Sequence, residues 1–215
     1  CFVVLGGDAV FFFVGSSMQH FQLKIENLTR SALENEEHYR KRLETDVLTG
    51  VHSRGYMQEA ASHVFGVPNG DGSLGIAVLD LDNFKVINDM YGYENGDKLL
   101  KILADMLKNL ARKEDVVTRY GDEEFLVLLP DTPESKAFIF AERFRRDVEK
   151  MSFIPDGDDE RHPVKISGGI SQYPYLDDYE DNSETLIRYS EHALYNAKTH
   201  GKNRIVLFSQ VNSGF

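Results

Sequence analysis

The sequence holds a single cysteine, Cys1, so no internal disulfide framework staples this chain, and its cysteine usage fits a reducing compartment. A basic excess is also lacking. Lys+Arg number 24 against 35 Asp+Glu, for a formal net charge of −11, and so acidic a surface repels phosphodiester backbones. This argues against a nucleic-acid polymer as partner, and a nucleotide ligand must bring its own cation. Long hydrophobic runs are missing near the start: Phe2 to Leu5 and Ala9 to Val14 are separated by Gly6-Gly7-Asp8, and neither approaches the ~20 residues that cross a bilayer. Residues 1–15 read as the last hairpin of an upstream sensor domain. The rival reading is the tail of a truncated transmembrane helix. The chain opens at Cys1 rather than Met, which points to a piece of a longer protein. What is present, 215 residues at 41% hydrophobic and 27% charged, suffices for one ordinary globular domain plus an appendage.

Residues 16–45 contain neither proline nor glycine, and Met18, Phe21, Ile25, Leu28, Ala32, Asn35 and Tyr39 recur at alternating spacings of three and four. That seam, flanked by Glu, Lys and Arg, predicts a signalling helix that is either one strand of a coiled coil or a lone amphipathic helix packed on the following domain. The globular domain occupies 46–215. Asp46 to Arg54 break the helix, and Tyr56 to Phe65 resume a short one. Leu74 to Leu81 form an apolar run that reads as a buried central strand. Helices follow over Asp97–Leu110, Pro133–Lys150 and Ser183–Thr199, the last with a capping-box-like start at Asp181 and Glu184. Further strands are expected over Val164–Ser171 and Arg204–Phe208.

Two acidic motifs carry the chemistry. Val116 to Thr118 and Phe125 to Leu129 read as a β-hairpin whose tip, Gly121-Asp122-Glu123-Glu124, holds three consecutive carboxylates. A hard divalent cation takes such oxygens and keeps room for substrate phosphates. A solvated acidic turn is the plainer alternative. The second motif begins at Asp80, close to the end of the buried strand, where an ionised carboxylate is costly unless paired or bound to metal. Asp82, Asn88, Asp89 and Asp97 follow it.

Together these residues resemble the GGDEF domain, the catalytic domain of diguanylate cyclases, across roughly Asp46 to Phe208. Five separated motifs carry the resemblance in the family's order: Asp46-x-Leu48-Thr49-Gly50, Asp80-x-Asp82-x-Phe84-Lys85-x-x-Asn88-Asp89, Gly96-Asp97, the signature hairpin, and Ala193-Leu194-Tyr195-x-Ala197-Lys198-x-x-Gly201-Lys202-Asn203. The implied fold is an α/β palm like that of nucleotidyl cyclases, a mostly antiparallel sheet flanked by helices and preceded here by the long N-terminal helix. The implied activity condenses two GTP into cyclic di-GMP with Mg²⁺ or Mn²⁺, each protomer of a homodimer presenting one GTP. By the same resemblance Asp80, the Leu81 carbonyl and Glu123 hold metal, and Glu124 lies beside the reacting hydroxyl. Asn88 and Asp97 read guanine, backbone around Phe84 and Lys85 cradles phosphates, and Lys198 and Lys202 neutralise them. Read without a family, the two lysines are a solvated face, one helical turn apart. Arg112-x-x-Asp115, nine residues before the hairpin glycine, matches the family's product-inhibition site for cyclic di-GMP, with Arg143 in support. The resemblance also implies a cytoplasmic location, free or on the cytoplasmic side of a membrane-anchored protein, and a sensor domain upstream in cis.

The hairpin departs from the family's Gly-Gly-Asp/Glu-Glu-Phe by placing Asp122 at the second glycine. If that position demands a positive φ, Asp holds it at a cost of roughly 1–2 kcal/mol. Its carboxylate also repels a triphosphate about 4 Å away by ~1 kcal/mol in water and about 4 at an intermediate dielectric. Smaller departures are Ser53 for Asn, Tyr93 for His, Glu191 for Asp, and Lys202 for Arg, which loses the bidentate fork. Two functions therefore remain open: a product-inhibited cyclase, or a degenerate GGDEF domain that binds cyclic di-GMP or GTP as a signalling module.

Overall fold

The structure, a computed structural model, describes residues 19, 21–33, 36, 44–66, 73–174 and 182–211, with the backbone alone at 62–66. The chain divides into two units, Cys1–Arg42 and Leu43–Phe215. In the first, residues 21–33 form a helix, α1, on which Phe21, Ile25 and Leu28 of the predicted seam are exposed. Residues 1–15, Met18, Asn35 and Tyr39 lie outside the described residues, so the hairpin reading and the ends of the seam do too. No helix among the described residues is long and apolar enough to cross a membrane.

The second unit runs β1 (His52–Ser53), α2 (Arg54–Gly66), β2 (Leu74–Leu81), α3 (Phe84–Tyr91), α4 (Tyr93–Leu110), β3 (Val116–Arg119), β4 (Glu124–Pro130), α5 (Glu134–Lys150), β5 (Ser152–Phe153), β6 (His162–Pro163), β7 (Ile166–Tyr173), α6 (Ser183–Thr199), β8 (Ile205–Leu207) and α7 (Phe208–Val211). Six strands make one sheet in the order β1-β3-β4-β2-β7-β8, and β5 pairs with β6 apart from it. The four inner strands are antiparallel, while β1 and β8 join the edges in parallel. This is the mostly antiparallel α/β sheet that the sequence implies.

Every residue of β2 is buried, because helices cover both faces of the strand at the sheet's centre. The strand's period of two divides its side chains. Ala77, Leu79 and Leu81 enter a cluster with Leu99, Leu103, Leu107 and Phe144 of α4 and α5. Leu74, Ile76 and Val78 join Met57, Leu186 and Leu194 of α2 and α6. Partner strand β4 divides the same way, with Phe125, Val127 and Leu129 in the first cluster and Leu126 and Leu128 in the second. By that alternation Asp80 and Glu124 face α6.

Several boundaries differ from the expected ones. The stretch between Asp80 and Asp97 contains a whole helix, α3, and α4 starts at Tyr93 rather than Asp97. The N-cap of α6 is Asn182, whose side chain accepts from Thr185 N at 2.9 Å; the amide one residue nearer the helix displaces the expected Asp181. The last strand stops at Leu207, where Phe208 opens a short helix.

Helix α6 rests directly on β7. A Cβ at Gly169 would lie 2.0 Å from the Ser190 carbonyl oxygen and 2.3 Å from Leu194 N, backbone atoms that cannot swing aside. Gly169→Ala is therefore expected to destabilise by about 2–3 kcal/mol as an overpacked contact, lowering the thermal midpoint by roughly 5–10 °C. An unchanged midpoint would contradict this packing of helix on strand.

Candidate active site

The ends of β2 and β4 bring the acidic motifs together. Asp80 and Glu124 are register partners across the two strands, and the tip that precedes β4 is tied to the end of β2 by Leu81 N donating to Glu123 O at 3.3 Å. Asp80 is buried, 4% exposed. Its Oδ1 lies 2.5 Å from Lys198 Nζ of α6 but has no well-aligned hydrogen-bond donor. Burial pushes the Asp80 carboxyl up, and the Lys198 ammonium works against that rise. Burial likewise raises Glu123 and Glu124, with the Asp80 charge the next cause in both. Carboxylates placed so close favour any cation that enters among them. Among the described residues no three acidic, histidine or cysteine side chains are already gathered as a metal cluster. The available donors are instead two or three carboxylates at the sheet's end plus backbone oxygen, a hard-ligand set suited to an ion that keeps waters and phosphates.

The tip's backbone is a narrow turn, closed by Tyr120 N and Gly121 N donating to Glu124 O at 2.8 and 3.2 Å. Glu124 Oε2 lies 2.8 Å from where a Cβ on Gly121 would stand, so the glycine leaves room for this carboxylate. Asp122 is exposed, and among the described residues the non-glycine positions with positive φ are Asn83, Asp131, Lys202 and Asn203. The strain expected at Asp122 is thus absent. Arg119 Nη2 donates to the Asp122 carbonyl oxygen at 2.9 Å, and its Nη1 is 3.3 Å from Asp46 Oδ1.

Asp82 differs from Asp80 although two residues apart. Its Oδ1 accepts from Ser167 Oγ at 2.8 Å and its Oδ2 from Asn203 N at 2.8 Å. Both oxygens are committed to holding β7 and the loop after α6. That loop also corrects the reading of the lysines. Helix α6 ends at Thr199, Gly201 takes φ +115°, and Lys202 takes φ +60°, so Lys202 does not continue the face of Lys198. It still converges on the site, donating to Asn83 Oδ1 at 2.6 Å. Asn83 in turn has φ +62° and caps α3 without a side-chain bond, leaving the N–H groups of Phe84 and Lys85 at the helix's free end. Phe84 is buried and Lys85 exposed.

Asn88 of α3 reaches α4 at Gly96, the residue before Asp97. A Cβ on Gly96 would lie 1.9 Å from Asn88 Oδ1, so only glycine permits this approach, and Oδ1 is buried with no donor. Asp97, next in sequence, is exposed. On the far side of the domain Arg112, Asp115 and Arg143 line one cleft of about 240 Å³ with Lys136, Ile139 and Phe140. Asp115 Oδ2 accepts from Arg112 N at 2.7 Å, and burial pushes its carboxyl up, against the Arg112 hydrogen bond. Lys136 was not expected there; it precedes Arg143 by two helical turns, the spacing that puts both on one face.

Comparison with known proteins identifies the family of this domain. Residues 43–204 match the model of the family described as "Diguanylate cyclase, GGDEF domain". Diguanylate cyclase A of Treponema denticola is 36% identical over 167 residues, which are 76% of this chain and 44% of that protein. Response regulator PleD of Caulobacter vibrioides is 34% identical over 186 residues, 86% of this chain and 40% of that protein. The chain thus spans less than half the length of these curated relatives. The crystal structure of the GGDEF domain of DgcB from Caulobacter crescentus, in complex with c-di-GMP, superposes with a TM-score of 0.71 at 24% identity, covering 77% of this chain and 96% of that one; at that identity the likeness speaks for the fold alone. The chain belongs to the GGDEF family of diguanylate cyclase domains.

Proposed function

We propose that this chain condenses two GTP into cyclic di-GMP and is inhibited by that product at the Arg112 cleft. The observation that carries the reading is the convergence of Asp80, Glu123 and Glu124 with Lys198 at one end of the sheet. Asp80, Glu123 and the Leu81 carbonyl would hold Mg²⁺ or Mn²⁺. When bound, the cation supplies charge neutralisation at the phosphates and at the attacking oxygen.

The residues of the chain do the rest. Lys198 exchanges its ion pair with Asp80 for substrate phosphate, and Lys202 and the N–H groups of Phe84 and Lys85 hold the remaining phosphate oxygens. Asn88 and Asp97 read guanine; a carboxylate accepts from the ring N–H and the amino group together, a pairing adenine does not offer. Glu124, whose burial raises its proton affinity, takes the proton of the 3′-hydroxyl. The oxygen then bonds to the α-phosphorus of the second GTP and pyrophosphate leaves. The reciprocal step closes the ring and releases a second pyrophosphate, so two active sites must face each other in a homodimer. The signalling helix expected over 16–45 is the natural element for bringing them together on a signal from an upstream sensor domain, in the cytoplasm where GTP is available.

Asp122 favours a second reading, a receptor in which the cleft of Arg112, Asp115 and Arg143 outlives catalysis. Incubation of the chain with GTP and Mg²⁺ at high protein concentration, with nucleotides resolved by chromatography, separates the two. Cyclic di-GMP is expected, and Glu123→Ala should reduce its formation by about 100-fold or more, the scale of a lost charge-stabilising group; equal formation in this variant would reject the metal assignment. With backbone strain absent and Asp122 in solvent, only high-dielectric repulsion of ~1 kcal/mol remains. Asp122→Gly should accordingly raise kcat by about fivefold, whereas an unchanged or lower rate would remove the repulsion argument. Arg112→Ala is expected to abolish cyclic di-GMP binding in calorimetry, and intact affinity would dispose of the inhibitory cleft.

A further inference from the structure

The proposed guanine readers Asn88 and Asp97 stand on different helices, so the turn between α3 and α4 sets their separation. Gly92, at φ +81°, is the single residue between those helices. Apart from the contact of Asn88 with Gly96, the turn is tied from outside by an arm, residues 151–163, that carries β5 and β6. Phe153 of the arm is 2% exposed and sits in the main core, which makes the arm a fixed base rather than a free flap.

Its contacts with the turn are specific. Asn95, 7% exposed, donates from Nδ2 to Tyr91 O at 2.9 Å and accepts at Oδ1 from Asp156 N at 2.7 Å. One buried amide therefore joins the last residue of α3, the first turn of α4 and the arm. The Tyr91 hydroxyl lies 3.1 Å from His162 Nδ1 and 3.2 Å from its Nε2, and Nε2 lies 2.9 Å from Asp158 Oδ2. A ring that donates from Nε2 to the carboxylate leaves Nδ1 to accept the Tyr91 proton. An ion pair of Lys98 with Asp156 at 2.5 Å is exposed on both sides and adds little.

We propose that this arm positions the guanine subsite, with Asn95, Tyr91 and His162 as positioning residues that fix Asn88 and Asp97 relative to each other. The proposal rests on the guanine reading given above. None of the three residues touches the nucleotide. Loosening them widens the base pocket while the carboxylates and lysines at the phosphates stay where they are. The cost falls on base affinity and on discrimination against adenine, not on the chemical step.

The test is equilibrium binding of a non-hydrolysable GTP analogue with Mg²⁺ to the full chain, beside the corresponding ATP analogue and cyclic di-GMP. Tyr91→Phe and His162→Ala are each expected to weaken the GTP analogue about three- to tenfold, the scale of one lost hydrogen bond. Preference over the ATP analogue should shrink, and cyclic di-GMP binding at the Arg112 cleft should be unchanged. His162→Gln, whose amide both donates and accepts, should recover most of the loss. In turnover KM rises and kcat holds. Unaltered affinity in both variants beside a parent that binds would overturn the role of the arm, as would a loss confined to kcat. Failure of the unsubstituted chain to bind the GTP analogue overturns the guanine subsite, and the arm's role with it.

Discussion

Like charges opposed across neighbouring strands are the constraint on which the site depends. Asp80 and Glu124 are register partners at the same end of β2 and β4, an arrangement that on its own destabilises a sheet. Their strands are held there by apolar packing on both faces, which fixes the register: a slip of one residue in either strand would exchange its two faces, carrying Leu79 or Phe125 to the α6 side and the acid beside it into the cluster under α4 and α5. The fold thus forces the carboxylates together and Lys198, brought over by α6, partly offsets the repulsion. Three carboxyl groups gathered beside one ammonium leave an electrostatic cost that a cation would offset.

How legible this was depends on the kind of signal. The run from Leu74 to Leu81 announced a central strand because it is apolar throughout, and a strand covered on both faces is what such a run makes. The hairpin and the helices α5 and α6 were readable from periodicity and breakers in the same way. Helix α3 was not, since Asn83, Asn88, Asp89 and Gly92 look like loop chemistry; what makes the segment helical is the burial of Phe84 and the docking of Asn88 against Gly96, both tertiary. The lysines show another case, two ammonium groups that both act on Asp80 but come there by a route other than the expected helical face. Counting four residues from Lys198 placed Lys202 on the same helical face, but Gly201 unwinds the helix first, and the loop conformation brings its ammonium to Asn83.

Asp80 and Asp82 mark a limit of another kind. Alternation puts both on the same side of an extended chain, and nothing in their spacing says which is free to act; only the resemblance did. The distinction is made by neighbours far away in sequence. Ser167 and the Asn203 amide occupy both oxygens of Asp82, while Asp80 has an ammonium beside it and no well-aligned donor. Long-range hydrogen bonds of this sort sort identical residue types into structural and chemical roles, and they are invisible until the chain is folded.

Helix α5 links the two ends of the domain through the same logic. One face carries Lys136, Ile139, Phe140 and Arg143 into the cleft with Arg112. From another face Arg145, nearly buried, donates to Glu142, Glu149 and the side chain of Asn203, and Asn203 also donates to Glu149. The backbone of Asn203 is the group that holds Asp82, and the next residue back is Lys202. A guanidinium satisfied by two carboxylates and an amide is a stiff joint, because no partner can shift without exposing an unpaired charge in a half-buried place. Arg145 thus joins α5 to the loop that carries Lys202, while the same helix packs through Phe144 on β2, to whose end the hairpin tip is tied.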